Sequence, residues 1–249
     1  MKVVYHPRFT EVYCHDPAAA AGRMGSIYQE LMGNFEFVEP QPAKIEDLKL
    51  VHSDSHIENI QSMGLTYDIA LLAAGGAIKA AQLAVTGEAA FALIRPPGHH
   101  ASQDHCWGFC FFNNMAISLA KLRQEGEIRT ALVLDIDLHF GDGTANIFQD
   151  IPEVTYFHPE ANDRKQFIQS ISQFLTQHEA DIIAVSAGFD RHEADWGEML
   201  TTEDYGTIGK SVKEFAERAC QGKRYGVLEG GYNHQVLGRN VKSLLHGMT

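Results

Sequence analysis

The stretch ALVLDIDLHFGDG (131–143) ends an apolar run in three aspartates and a histidine, Asp135, Asp137, Asp142 and His139, set beside glycines. The Asp-x-Asp-x-His spacing predicts that an extended backbone points Asp135, Asp137 and His139 to one side. Two of these, with a third donor from another strand, make a three-ligand metal centre. Histidine plus carboxylates at about 2.0–2.2 Å suits catalytic zinc, Zn2+, with a coordination position left for water. Iron(II), Fe2+, stays open because its ligand preferences overlap with those of zinc. Asp190, closing IAVSAGFD (183–190), is the natural third ligand, since it also follows an apolar run and a glycine. The bland alternative makes Asp135 and Asp137 loop caps and His139 a satisfied polar residue. The company of GFD and PPGHH disfavours it.

His99 and His100 follow a turn shaped by Pro96, Pro97 and Gly98. With the metal ligands assigned, Asp135 and Asp142 remain, one carboxylate for each ring. A carboxylate that accepts the Nδ1 hydrogen fixes the tautomer and raises the basicity of the other nitrogen. Two such dyads beside a metal ion form hydrolytic machinery. A further run, GVLEGGYN (226–233), ends in Glu229 and Tyr232.

Chemistry at the ends of apolar runs needs a scaffold that gathers those ends. Short β-rich runs at 2–6, 89–94, 130–137, 153–158, 181–188 and 224–231 alternate with helical patterns at 18–32, 53–63, 67–85, 113–124, 163–177, 201–220 and 235–246. Ser53 stands at a helix start, and Thr201 lies three residues before Asp204 as a cap. Such alternation predicts one α/β domain spanning 1–249, a mostly parallel sheet with helices on both sides. In parallel sheets, ligands bind beyond the carboxyl ends of the strands. Four runs ending in reactive groups therefore predict a single site there.

Composition sets the class. With 249 residues, 45% hydrophobic and 21% charged, the chain suits one globular domain. The formal charge of −12 disfavours nucleic acid and anionic membranes as partners and favours cationic amines. Cys14, Cys106, Cys110 and Cys220 lack paired metal or disulfide spacing, so free thiols and a cytoplasmic location are expected. MKVVYHPRF has no long apolar segment of a secretory signal. The apolar stretch 69–85, interrupted by Lys79 and Gln82, falls short of a membrane span and reads as a buried helix.

RPPGHHA, GFCFFNN, DIDLHFGDG, SAGFD and EGGYN, in that order, closely resemble the zinc-dependent histone deacetylase superfamily, which includes acetylpolyamine amidohydrolases and has the arginase/deacetylase α/β fold. The resemblance extends weakly back through VHSDSHIENIQS and HDPAAAAGRM. It implies Asp137, His139 and Asp190 as metal ligands, and His100 with Asp142 as general base. It also implies His99 with Asp135 as the electrostatic or acid partner, and Tyr232 as the phenol that polarises the acyl carbonyl. Gly108 and Phe109 match the wall of an acyl-lysine tunnel, and Arg23 the arginine near an internal acetate channel. The implied substrate is an acylated amine: a protein acetyl-lysine, an acetylpolyamine or a small metabolite.

Departures from the family pattern matter as well. The stretch 158–180 is shorter than in most relatives, which predicts an open mouth or one completed by another subunit of an oligomer. Trp107, His105 and Trp196 either line that mouth or cover the core edge. Asp68 is read as a helix-start residue. The resemblance implies a monovalent cation, K+ or Na+, against the metal loop, where His158 replaces the usual polar residue; Phe140 replaces a second histidine. His52 and His56 have no partner pattern and receive no chemistry. Two other readings remain: a catalytically silent acyl-ligand binding protein, disfavoured by retention of every proposed group, and a two-metal ureohydrolase, disfavoured by the single aspartate after GF.

Overall fold

The computed structural model describes residues 1–161 and 163–249. Seven strands, β1 (Lys2–Val4), β2 (Glu36–Val38), β3 (Ala90–Ala92), β4 (Ala131–Asp135), β5 (Val154–Phe157), β6 (Ile182–Ala187) and β7 (Arg224–Leu228), form one sheet in the order β2-β1-β3-β7-β6-β4-β5. Every pairing is parallel. All residues of β3, β4, β6 and β7 are buried, which explains their continuous apolar runs: both faces are covered. These four are neighbours at the centre of the sheet, and they are the strands whose endings carry the candidate chemistry.

The covering helices are α1 (Arg23–Leu31), α2 (Ile45–Leu48), α3 (Asp54–Gln61), α4 (Leu65–Val85), α5 (Asn114–Gln124), α6 (Asp142–Phe148), α7 (Arg164–Thr176), α8 (Thr202–Ala219) and α9 (His234–Met248). α4 and α5 pack together, α4 also against β1, β3 and β7; α8 packs on α9, α7, β6 and β7. Both expected caps form. Ser53 Oγ accepts the His56 N–H at 3.3 Å, and Asp204 Oδ2 accepts the Thr201 N–H at 2.8 Å. Asp68 sits in the first turn of α4, 3.8 Å from Arg8 Nη2.

Three short elements escape the sequence pattern. β2 is three residues at the sheet edge with no buried position, and α2 is a single turn. α6, DGTANIF, is poor in strong helix formers, and the packing of Gly143 on the Ala101 backbone helps fix it. α4 corrects the expectation about membrane length: its 21 residues are long and apolar enough to cross a bilayer. In its most apolar window 67% is buried inside the protein, so that surface serves the core. Gly75 permits the approach, since a Cβ there would lie 1.9 Å from the Gln41 carbonyl oxygen.

Candidate metal centre and active site

The strand carrying the first aspartate stops earlier than the spacing predicts. β4 ends at Asp135, and Ile136 makes one more ladder bond, its N–H to the Ser186 carbonyl at 3.0 Å. Asp135 Oδ1 then accepts the Asp137 N–H at 3.1 Å, and Asp137 Oδ1 accepts the His139 N–H at 3.0 Å. Each carboxylate captures the backbone two residues on, so the chain leaves the sheet in two successive Asx-type bends. The expected common side is therefore corrected. Asp135 turns toward His99, whereas Asp137 and His139 turn toward Asp190.

Those three donors converge. Ligand atoms of Asp137, His139 and Asp190 lie within 4.8 Å of one another. His139 Nδ1 is 3.3 Å from Asp137 Oδ1 and 3.2 Å from Asp190 Oδ2. Both carboxylates are fully buried, and together they push the His139 imidazole up to about 10. Burial and the neighbouring Asp137 charge raise Asp190 to about 6. Burial also opposes the Asp137 charge, but His99, His139 and the Gly230 N–H hold its pKa below the ordinary value. Asp190 Oδ2 accepts no hydrogen bond although it is buried, so an acceptor with unspent capacity points into the cluster. Gly230 leaves the space open: a Cβ there would lie 2.6 Å from Asp137 Oδ2 and 2.9 Å from Asp190 Oδ2. An imidazole nitrogen beside two buried, mutually repelling carboxylates, one oxygen of which lacks a donor, fits a divalent cation.

Both histidines find their carboxylates. His99 Nδ1 lies 3.1 Å from Asp135 Oδ2, and His100 Nδ1 lies 2.6 Å from Asp142 Oδ1. The Tyr156 hydroxyl donates to Asp135 Oδ2 at 2.9 Å and accepts the Gly141 N–H at 2.9 Å. On the other dyad, the Trp107 indole N–H donates to Asp142 Oδ2 at 2.8 Å, and the indole lies over the His100 ring with centroids 3.9 Å apart. Glu229 Oε2 accepts the Gly98 N–H at 2.7 Å and the His99 N–H at 3.2 Å, which pins the turn presenting the two imidazoles.

His99, His100, His139 and Tyr232 line one cavity of about 120 Å³, walled by Trp107, Gly108, Phe109 and Trp196. A larger hollow of about 430 Å³ beside Lys44, Gly75 and Lys121 brings together no histidine or cysteine, so chemistry rather than size selects the site. Gly108 and Phe109 occupy a tight turn at φ 59° and 68°, closed by the Cys110 N–H on the Trp107 carbonyl at 3.0 Å. A Cβ on Gly108 would lie 2.3 Å from His100 Cδ2, so the glycine lets this wall touch the imidazole. Tyr232 stacks on Trp196 at 4.1 Å, and burial raises its phenol pKa, keeping it a hydrogen donor. Arg23 lies behind it, fully buried, donating to the carbonyls of Gly231 at 2.8 Å and Glu229 at 2.6 Å. Arg23 thus supports the Tyr232 loop and does not line the cavity. Trp107 and Trp196 flank the mouth at 52% and 51% exposure; His105 is not on the cavity and pairs with Ser102 instead.

The histone deacetylase domain family matches residues 18–167 and 158–248. The chain belongs to the histone deacetylase family. It is 31% identical over 265 residues to a probable deacetylase of Methanothermobacter thermautotrophicus, covering 85% of this chain and 78% of that one. A probable deacetylase of Archaeoglobus fulgidus is 32% identical over 248 residues, covering 79% and 69%. The human polyamine deacetylase HDAC10 is 27% identical over 263 residues, covering 80% of this chain and 39% of its own. The crystal structure of the HDA15 HD domain superposes with a TM-score of 0.82 at 23% identity over 98% of this chain and 88% of that one, and shows the same fold.

Several groups of this histone deacetylase family member gave no sequence signal. Asp195 Oδ2 accepts the backbone N–H groups of Tyr232 and Asn233, both at 2.8 Å, and so fixes the backbone that carries the phenol. His52, read as having no partner, ties both ends of the cavity wall: Nδ1 lies 2.8 Å from the Ser102 carbonyl oxygen, and Nε2 accepts the Asn113 N–H at 2.9 Å. Burial lowers its pKa to about 3, as a neutral acceptor requires. A histidine before Ser-x-Ser-His offers no local clue to a partner 50 or 61 residues away.

Proposed function

We propose that this chain hydrolyses the amide of an acylated amine, with Asp137, His139 and Asp190 holding Zn2+ or Fe2+. The observation carrying this reading is the convergence of that donor set beside a cavity lined by two carboxylate-held imidazoles and a phenol. When bound, the ion supplies Lewis acidity toward water and an acyl oxygen. His100, its Nδ1 held by Asp142, offers Nε2 to take the proton of the attacking water and to return it to the leaving amine. Tyr232 donates its hydroxyl hydrogen to the oxygen on which negative charge develops. His99, wedged between Asp135 and Asp137, supplies positive charge next to the reacting centre.

The family relatives support an acyl-amine substrate, and the relative named a polyamine deacetylase adds polyamines to acetyl-lysine as candidates. A net charge of −12 favours cationic amines of either kind. The test is turnover by metal-reconstituted protein on acetyl-lysine peptides, acetylated polyamines and small acetamides, with a hydroxamate as competitor. Tyr232→Phe is expected to lose about 2.7–4 kcal/mol of transition-state stabilisation while still binding metal. Metal-loaded protein that turns over no member of the panel would sink the reading.

A further inference from the structure

Arg191 follows Asp190 directly, and its side chain runs back beneath the loop that carries the other two donors. Its Nε donates to the Asp137 carbonyl oxygen at 3.0 Å, and its Nη2 donates to the Leu138 carbonyl oxygen at 3.3 Å. Nη2 also donates to His158 Nε2 at 3.0 Å. The guanidinium lies over the Phe167 ring, 4.7 Å from its centroid, and the residue is 6% exposed. Burying a cation this completely is costly unless opposite charge and acceptors surround it. Asp190, Asp137 and Asp135 supply the charge, and the two carbonyls and the imidazole supply the acceptors.

The carbonyls are the telling part. Asp137 and Leu138 lie in the bends that follow β4, where the chain has left the sheet and has no ladder to hold its oxygens. Those oxygens converge on one cationic group. A planar fork of donors fixes two adjacent carbonyls in direction as well as in distance, which a spherical ion or an ammonium does not.

We propose that Arg191 is a built-in cation of this site, a positioning residue whose guanidinium holds the Asp137–His139 segment in its ligating conformation and takes the structural role of a monovalent ion. The inference rests on the reading of Asp137, His139 and Asp190 as metal ligands. On this proposal the K+ or Na+ ion expected against the metal loop is not needed, because Arg191 already donates to the Asp137 and Leu138 carbonyl oxygens.

The experiment measures divalent-metal affinity with a chromophoric competitor chelator, independent of turnover. It compares wild type, Arg191→Ala and Arg191→Lys in potassium, sodium and tetramethylammonium salts of equal ionic strength. Wild type is expected to bind Zn2+ equally in all three. Arg191→Ala should bind about 10–100-fold more weakly, as loss of a group orienting ligands does, and should recover part of that loss on adding guanidinium ion. Arg191→Lys should fall between them, because one ammonium cannot fork to both carbonyls. If Arg191→Ala does not fold by circular dichroism, the lysine variant decides. A folded variant with wild-type affinity overturns the inference, and so does a wild type that tightens tenfold when potassium replaces tetramethylammonium. A wild type that binds no divalent metal at all overturns the ligand reading itself and this inference with it.

Discussion

His99 and His100 are adjacent in sequence, each held at Nδ1 by an aspartate, yet their surroundings drive them apart. His99 is enclosed; burial opposes its charge, but Asp137 and Asp135 outweigh burial and hold its pKa well above the ordinary value. His100 is equally buried, but burial and then the charge on His99 hold its pKa below the ordinary value despite Asp142. Adjacent groups pushed in opposite directions suit the different roles proposed for them. The neutral imidazole is fitted to accept a proton and the charged one to stay a cation. The supporting phenol and indole differ in the same sense. Tyr156 binds a carboxylate sealed from water, whereas Trp107 binds one whose side chain is 40% exposed.

The largest test of this contrast is deletion of each ring. His100→Ala is expected to lower kcat/KM by about 10²–10⁴-fold, the range for a general base, and His99→Ala by less. The acidic limb of the wild-type profile should lie below the ordinary histidine value. Equal losses, or the reverse order, in steady-state kinetics would break the division of roles. The next test removes the supporting donors. Tyr156→Phe deprives a buried charged carboxylate of a hydrogen bond and should cost about 1.5–3 kcal/mol in denaturant unfolding. Trp107→Phe keeps a ring over His100 and should cost about 0.5–1.5 kcal/mol. A larger loss from the tryptophan variant would reverse the ranking of the two environments.

The last test is set by pH. His52 ties the wall on the His100 side and has a folded pKa of about 3, below its unfolded value. The unfolded chain therefore binds the proton first. Its contribution to stability is complete above about pH 6.5 and is lost as pH falls, by at most about 1.4 kcal/mol per pH unit. Amide exchange over Ser102–Asn113 should accelerate on acidification relative to β4 and β6. His52→Gln, which lacks the titrating group, should flatten that dependence.

Much of this was legible before any coordinates. The helical patterns found their helices because apolar residues recur at three- and four-residue spacings, and the caps at Ser53 and Thr201 mark two of the starts. The residues that converge on the cavity were legible because reactive side chains at the ends of apolar runs gather where parallel strands end. The bends after Asp135 were not, since an aspartate in Asp-x-Asp reads equally as strand or as turn until its carboxylate finds a backbone N–H. Tyr156 and Asp195 were missed for a related reason. Each acts on a partner distant in sequence, Asp135 or Tyr232, through a single hydrogen bond that leaves no periodicity behind.

The amino-acid sequence by itself determined the donor chemistry and the alternation of strand and helix, because both depend on residue type and local spacing. Only the tertiary structure decided the lateral order β3-β7-β6-β4, which brings endings from distant parts of the chain around one cavity. It also decided that Tyr156 and Trp107 back the two aspartates, and that Arg191 reaches back to the Asp137 carbonyl. Parallel strands pair through uniform backbone bonds that carry no address in the local sequence. Their order is settled by how helices cover both faces and how the whole core closes.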